Sequence, residues 1–394
     1  MTKLSLIAAL AASVAAPAAA QEVQIKVAPG DHVYVNDANP RRGQFDLMLQ
    51  SIVVKGETPV TLLGLRIDFE KDGVVRASRM VDLDRALGAT AEFGGMMEAG
   101  FDTFLRAQLL EEGGLERFAG AGARLSRDLT LEPGELLIAT GQYQMLDFEP
   151  DRAVVVATYE LGDRKKEVRL PVAVKRASSA IHYRFPLNGG WIMRGLPSAQ
   201  GHHRWAPGTE FAVDLFRVGA DGAASNGDEV IAENNYGYGA PVRAAADGEV
   251  VFVIADQVQD RRAQSILPGE TVEEARERIG GMAMQAIMTN FRAALAGNIV
   301  TIRHIGPDGV AEYSNYGHLK AGSVRVRVGQ KVKSGEIIGE VGDTGDSSAV
   351  HLHFQVNEGP DAFFSRSKPF RFDDMEEAYE GQDPGLFVHP VTGE

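Results

Sequence analysis

The sequence predicts an all-β protein with helical insertions, built as an N-terminal β-sandwich-like domain followed by a C-terminal antiparallel β domain. Three observations predict it. Apolar residues alternate with polar ones in many short runs, and Asp-Gly or Gly-Asp pairs join several of those runs. Two stretches switch to helical spacing. Eight of the nine histidines fall after residue 180, where glycine also becomes frequent.

The first twenty residues stand apart. Lys3 precedes the apolar run Leu4 to Ala16, and Pro17 to Ala20 leads to the polar pair Gln21-Glu22. Positive charge, short apolar stretch and small residues in that order read as a secretory signal peptide over 1–20. The run is shorter than the ~20 apolar residues that a bilayer-spanning helix needs. The expected location is therefore secreted or periplasmic, with no membrane span.

Residues 21–175 form the first expected domain. Val23, Ile25 and Val27 alternate, as do Leu65, Ile67 and Phe69 before the turn pair Asp72-Gly73. Val154 and Val156 lead through Gly162-Asp163 to Val168, Leu170, Val172 and Val174. Period-two alternation broken by such pairs is the mark of antiparallel hairpins. Between them, Phe101, Phe104, Leu105 and Leu109 make one helical stripe, expected as a packed insertion. His32 here and His182 beyond it stand alone and suggest no site.

Residues 176–394 form the second expected domain. Its strands are interrupted over about 256–298 by a helical insertion. Pro268-Gly269 marks a turn, Thr271 to Glu274 has the form of a capping box, and Ile279, Ile287, Phe291 and Leu295 follow at mostly helical spacing.

Composition narrows the chemistry. The chain has 394 residues, 44% of them hydrophobic, which is ordinary for a folded protein. It contains no cysteine, so disulfides, thiolate nucleophiles and thiolate metal ligands are excluded. The net charge of −14 argues against nucleic acid as a partner.

Three histidine-bearing segments carry the chemistry. In His351-Leu352-His353-Phe354 the two histidines, two apart on a strand, share a face while Leu352 and Phe354 face the core. One imidazole can ligate a metal while the other reaches the metal-bound water or the substrate. In Tyr316-Gly317-His318-Leu319, His318 lies near the end of a returning strand. His202-His203 precedes Phe211-Ala212-Val213-Asp214, and Asp214 in an apolar strand is costly to bury unless it pairs with a cation. Histidine and aspartate ligands with one open position make a catalytic rather than a structural zinc arrangement.

These segments, with Val328 to Gly339, Gly342-Asp343-Thr344-Gly345 and the upstream Gly239 to Ala244, closely resemble the lysostaphin-type (LytM-like) zinc endopeptidases. The resemblance covers roughly residues 200–360, excluding the helical insertion. It implies a compact antiparallel β peptidase domain with a narrow groove and one Zn2+ per chain. The ligands it implies are an upstream histidine, Asp214 and His353, with His318 and His351 as the catalytic imidazoles. It also implies hydrolysis of peptide bonds, usually in the cross-links of bacterial peptidoglycan. One departure concerns the first ligand. Many members place a histidine four residues before the aspartate, where this chain has Glu210. His203 is the preferred ligand, with His202 and Glu210 as the other candidates. An inactive member of the same fold that binds or activates wall hydrolases is the alternative, as is a peptidase acting on non-wall peptides.

Overall fold

The computed structural model describes residues 22–39, 42–176, 179–195, 201–379 and 386–390. The expected signal peptide lies outside the described residues. The chain is mostly strand with few helices, as the patterning predicts.

The N-terminal part holds β1 (Val23–Ala28), β2 (His32–Asn39), β3 (Gln44–Gly56), β4 (Val60–Lys71) and β5 (Val74–Met80). Helices α1 (Leu83–Glu98), α2 (Thr103–Leu109) and α3 (Gly114–Ala119) follow. Strands β6 (Arg124–Leu125), β7 (Thr130–Leu131), β8 (Glu135–Leu146), β9 (Arg152–Leu161) and β10 (Arg164–Arg176) complete it. One ten-stranded sheet runs β5-β4-β9-β10-β2-β3-β8-β6, with β1 on β3 and β7 on β4. Its inward residues, among them Val23, Leu47, Ile52, Leu65, Phe69, Leu137 and Val155, make one core between the two halves of the sheet. Both predicted turns are present: Lys71 faces Val74 across Asp72-Gly73, and Leu161 faces Arg164 across Gly162-Asp163.

The helical insertion differs from the single stripe expected. It is three helices, because the chain leaves helical geometry at Gly100 and again at Leu110, both at positive φ. Leu105, Leu109 and Leu115 pack on Val53, Leu136 and Ile138, the outward face of β3 and β8.

The C-terminal part contains β11 (Trp191–Arg194), β12 (Val213–Phe216), β13 (Pro241–Arg243) and β14 (Gly248–Ile254). Then come α4 (Val272–Thr289), α5 (Phe291–Ala296), β15 (Asn298–Ile305) and β16 (Ala311–Leu319). The remaining strands are β17 (Lys331–Val332), β18 (Ile337–Glu340), β19 (Leu352–Asn357), β20 (Met375–Tyr379) and β21 (Leu386–Pro390). A nine-stranded sheet runs β17-β14-β15-β16-β19-β12-β11-β21-β20, and β13 pairs with β18. The core beneath it gathers Tyr183, Trp191, Leu215, Val250, Tyr316, Leu352 and Phe354.

The predicted capping box is present: Thr271 accepts from the Glu274 backbone while the Glu274 side chain accepts from that of Thr271. The apolar stripe behind it is divided between two helices: Ile279 and Ile287 are half-buried on α4, and Phe291 is buried on α5. Within α4 only Ala275 is buried, and the helix ends at Asn290, whose side chain caps the separate helix α5. Among the described residues no helix is long and apolar enough to cross a membrane.

Candidate metal and catalytic site

Three neighbouring strands bring the chemistry together. In the antiparallel pairing of β12 with β19, Asp214 lies opposite His353. In the pairing of β16 with β19, Gly317 lies opposite His353, which sets His318 one residue further along the same edge. Leu352 and Phe354 are in the core as the alternation predicts, but His351 is buried as well and His353 half-buried. β19 itself begins at Leu352, and His351 precedes it in a bridge to Gly342.

Asp214 is the centre of the cluster, only 4% exposed. Its Oδ1 lies 3.1 Å from His353 Nδ1 and 3.4 Å from His351 Nε2. Its Oδ2 lies 3.2 Å from His202 Nε2 and 3.6 Å from His203 Nε2. Burial opposes the charge, but His351, His202 and His353 around it hold the carboxyl well below its usual range.

The partners of the rings fix where their protons sit. A backbone carbonyl only accepts, so His318 Nδ1–H donates to Thr344 O at 2.7 Å and His351 Nδ1–H donates to Ala349 O at 2.8 Å. In each ring Nε2 then carries the lone pair. His353 is turned the other way. Its Nε2 is 2.7 Å from Gln355 Oε1, and the Gln355 amide nitrogen is directed to the carbonyls of Gly208 and Ala362 at 3.0 and 2.9 Å. That network leaves the Gln355 oxygen as acceptor and His353 Nδ1 facing Asp214.

His351 Nε2 and His353 Nδ1 are thus the ring atoms left facing the carboxylate, and each needs either a proton or a shared cation between itself and that oxygen. Acceptors facing acceptors at 3.1–3.4 Å repel unless a cation lies among them. His203 adds to this. Burial, with His353 beside it, pushes its imidazole down to about 3, so it is neutral at ordinary pH, and its buried Nδ1 has no hydrogen-bond partner. The donor set fits a divalent cation held by nitrogen and oxygen.

His202, His203 and Asp214 can bring donor atoms within 4.8 Å of one another. His202 is the exposed member, its side chain 68% accessible, whereas His203 is buried with its ring 4.7 Å from that of His353. Glu210, the third candidate from the sequence, pairs instead with Arg204 at 3.0 Å.

His318 is buried, and burial with His351 and His353 nearby lowers its imidazole well below the usual range. Its backbone is left-handed at φ 58, which turns the ring out of the strand alternation and towards His351, 4.6 Å away. Its carbonyl partner Thr344 sits in a loop pressed against α5. A Cβ on Gly297 would stand 2.2 Å from Thr344 O, and one on Gly345 would stand 2.3 Å from Gly297 N. Only glycine permits this approach.

Sequence reasoning missed three contributors. Gln355 and Phe216 each lie two residues beyond a site residue on the same strand, so strand periodicity could have pointed to them. Phe216 stacks on His351 at 4.8 Å and 20°. Thr344 lies within the Gly342–Gly345 motif, but its part was not foreseen: its carbonyl accepts from His318, and its buried hydroxyl accepts from Asn298 N at 2.9 Å and donates to Leu319 O at 2.8 Å. Of the two lone histidines, His182 is exposed beside Asp373, whereas His32 is buried and contacts Arg366.

Residues 280–364 match the family model for peptidase family M23. That segment contains His318, His351 and His353. No curated protein matches the chain. Among solved structures, the catalytic domain of the antimicrobial peptidase lysostaphin from Staphylococcus simulans is 21% identical, over 48% of this chain and 88% of that one, with a TM-score of 0.23. A mutant catalytic domain of the prophage-encoded M23 protein EnpA from Enterococcus faecalis is 16% identical over 49% and 90%, with a TM-score of 0.24. A zinc-containing peptidase from Vibrio cholerae is 13% identical over 79% and 77%, with a TM-score of 0.22.

Proposed function

We propose that this protein is an exported zinc endopeptidase that hydrolyses peptide cross-links of bacterial peptidoglycan. One observation carries the reading. His351 and His353, each with one ring N–H held by Ala349 O or Gln355 Oε1, turn the other ring nitrogen to the buried Asp214 carboxylate. The match of residues 280–364 to peptidase family M23 supports the reaction class.

His203, Asp214 and His353 are the proposed ligands of one Zn2+. When bound, zinc supplies a water acidic enough to act near neutral pH and polarises the scissile carbonyl. His318 and His351 hold Nδ1–H on backbone carbonyls, so each offers Nε2 to take or return a proton at the reacting centre. Phe216, stacked on His351, keeps that ring from turning.

The test is zinc content together with digestion of purified peptidoglycan, with the released fragments identified by mass spectrometry. About one zinc per chain and new amino termini within the cross-links are the expected results. Peptidoglycan binding with neither zinc nor cleavage would replace this reading with the inactive, LytM-like activator. Cleavage of unrelated peptides alone would move the substrate away from the wall.

A further inference from the structure

The short 3-10 turn His202–Trp205 carries the proposed ligand His203, and it is held both by its own part of the chain, where Thr209 Oγ1 donates to His203 O at 3.3 Å, and by the N-terminal sheet. Arg204 follows His203 directly and is 0% exposed. Its Nη2 lies 2.8 Å from Asp46 Oδ1 on β3, and its Nη1 lies 3.0 Å from Glu210 Oε1. Asp46 also accepts from the Tyr143 hydroxyl of β8 at 2.9 Å. The guanidinium sits 5.8 Å from the Tyr143 ring centre and 5.2 Å from that of Phe211.

The turn's backbone is held from the same side. Gln50 of β3 donates from Nε2 to Arg204 O at 2.9 Å, and both groups are buried. Trp205 lies against Gly141 of β8, so closely that a Cβ at 141 would stand 3.0 Å from its ring. Two strands of the N-terminal sheet thus grip the residues on the C-terminal side of His203.

A buried ionic set of this kind contributes little net stability, because desolvating the charges offsets their attraction. Burial pushes the Asp46 and Glu210 carboxyls up, against the pull of Arg204. What such a set does well is fix one geometry. A ligand on a turn needs that, since a turn lacks the strand pairing that positions Asp214 and His353.

We propose that Asp46 and Gln50 are positioning residues for the metal ligand His203, so that the N-terminal sheet is part of the frame of the metal site. The proposal rests on His203 being a zinc ligand. It gives the N-terminal part a role in the chemistry although it contributes no ligand itself.

The test uses the full mature chain and the variants Asp46→Asn, His203→Ala and their combination. Zn2+ affinity is measured by competition with a chelating dye, and the visible spectrum of the Co2+-loaded protein reports coordination geometry. Asp46→Asn should weaken zinc binding about tenfold or more and shift the Co2+ bands, as loss of groups that orient a ligand commonly does. Added to His203→Ala it should weaken binding no further, because its effect passes through that ring. If Asp46→Asn does not fold, Gln50→Met, which removes the bond to Arg204 O and the contact with Glu210 but no charge, should still weaken zinc binding several-fold. Affinity within twofold of the unaltered chain for the folded variant, beside a weakened His203→Ala, overturns this inference alone. So do effects of Asp46→Asn and His203→Ala that simply add. Unchanged affinity in His203→Ala overturns the ligand assignment and this inference with it.

Discussion

Acid should destabilise the metal-free protein through its site histidines, and the size of the effect follows from His203. In the unfolded chain this ring titrates near its ordinary 6.5, while in the folded protein it is held down to about 3. Below ~6.5 the unfolded state takes up a proton that the folded state refuses, so stability falls as pH falls, until the folded value is reached. Between ~pH 7.5 and ~pH 5 His203 alone removes about 2 kcal/mol, and near pH 3 the loss approaches about 5 kcal/mol. His318, lowered by burial and by His351 and His353, acts in the same direction. Asp214, held low, adds stability above its unfolded value that is lost at still lower pH. His202, raised by its hydrogen bond to Asp214, opposes them, but it is largely exposed and its share is small. Against a total stability of ~5–15 kcal/mol this is a large effect. Urea unfolding of the chelator-treated protein at several pH values measures it, with His203→Gln as the comparison. The variant should lose about 2 kcal/mol of the decline between ~pH 7.5 and ~pH 5. A His203→Gln protein whose stability falls as steeply as the parent's would refute the reasoning.

Other outcomes bear on the site directly. Asp214→Asn or His353→Ala should abolish stoichiometric zinc retention, read by elemental analysis after dialysis; zinc at one per chain in both variants would count against the ligand set. His318→Ala should keep its zinc and lose at least ~100-fold in turnover, the usual scale for a proton-transfer group; an unchanged rate would make His318 a bystander. Gln355→Leu removes the acceptor that fixes the His353 ring and should weaken zinc binding about 10–100-fold. Titration with a zinc-competing dye reads that loss, and unaltered affinity would mean that the ring holds its orientation without Gln355.

The sequence made much of this legible, for reasons that are local. Alternation and turn pairs announce strands, so β4-β5, β9-β10 and the 351–354 segment are readable from residue type alone. Asp214 is readable because a carboxylate in an apolar strand asks for a partner, and His351 and His353 because two residues apart on a strand share a face, whereas His318 is singled out only by the resemblance of Tyr316-Gly317-His318-Leu319. Other features depend on distance in the chain. Nothing near Asp46 indicates that it meets Arg204, 158 residues away. The stripe of the second insertion has the right period yet is split between two helices, Ile279 and Ile287 half-buried on α4 and Phe291 buried on α5, because period says which residues share a face and not where the helix stops. That His202 is exposed and His203 buried is likewise something a pair of adjacent identical residues cannot reveal.

The contact of Gly297 with the Thr344–Gly345 loop has a consequence for protein engineering. The proton on His318 is kept at Nδ1 by a carbonyl whose position depends on two absent methyl groups. The Thr344 hydroxyl seats that carbonyl through Asn298 N and Leu319 O, and one carbon added at position 297 would lift the loop off its seat. A substitution far from His318 in sequence, changing no charge and no ligand, would then behave as a lesion of the reacting centre.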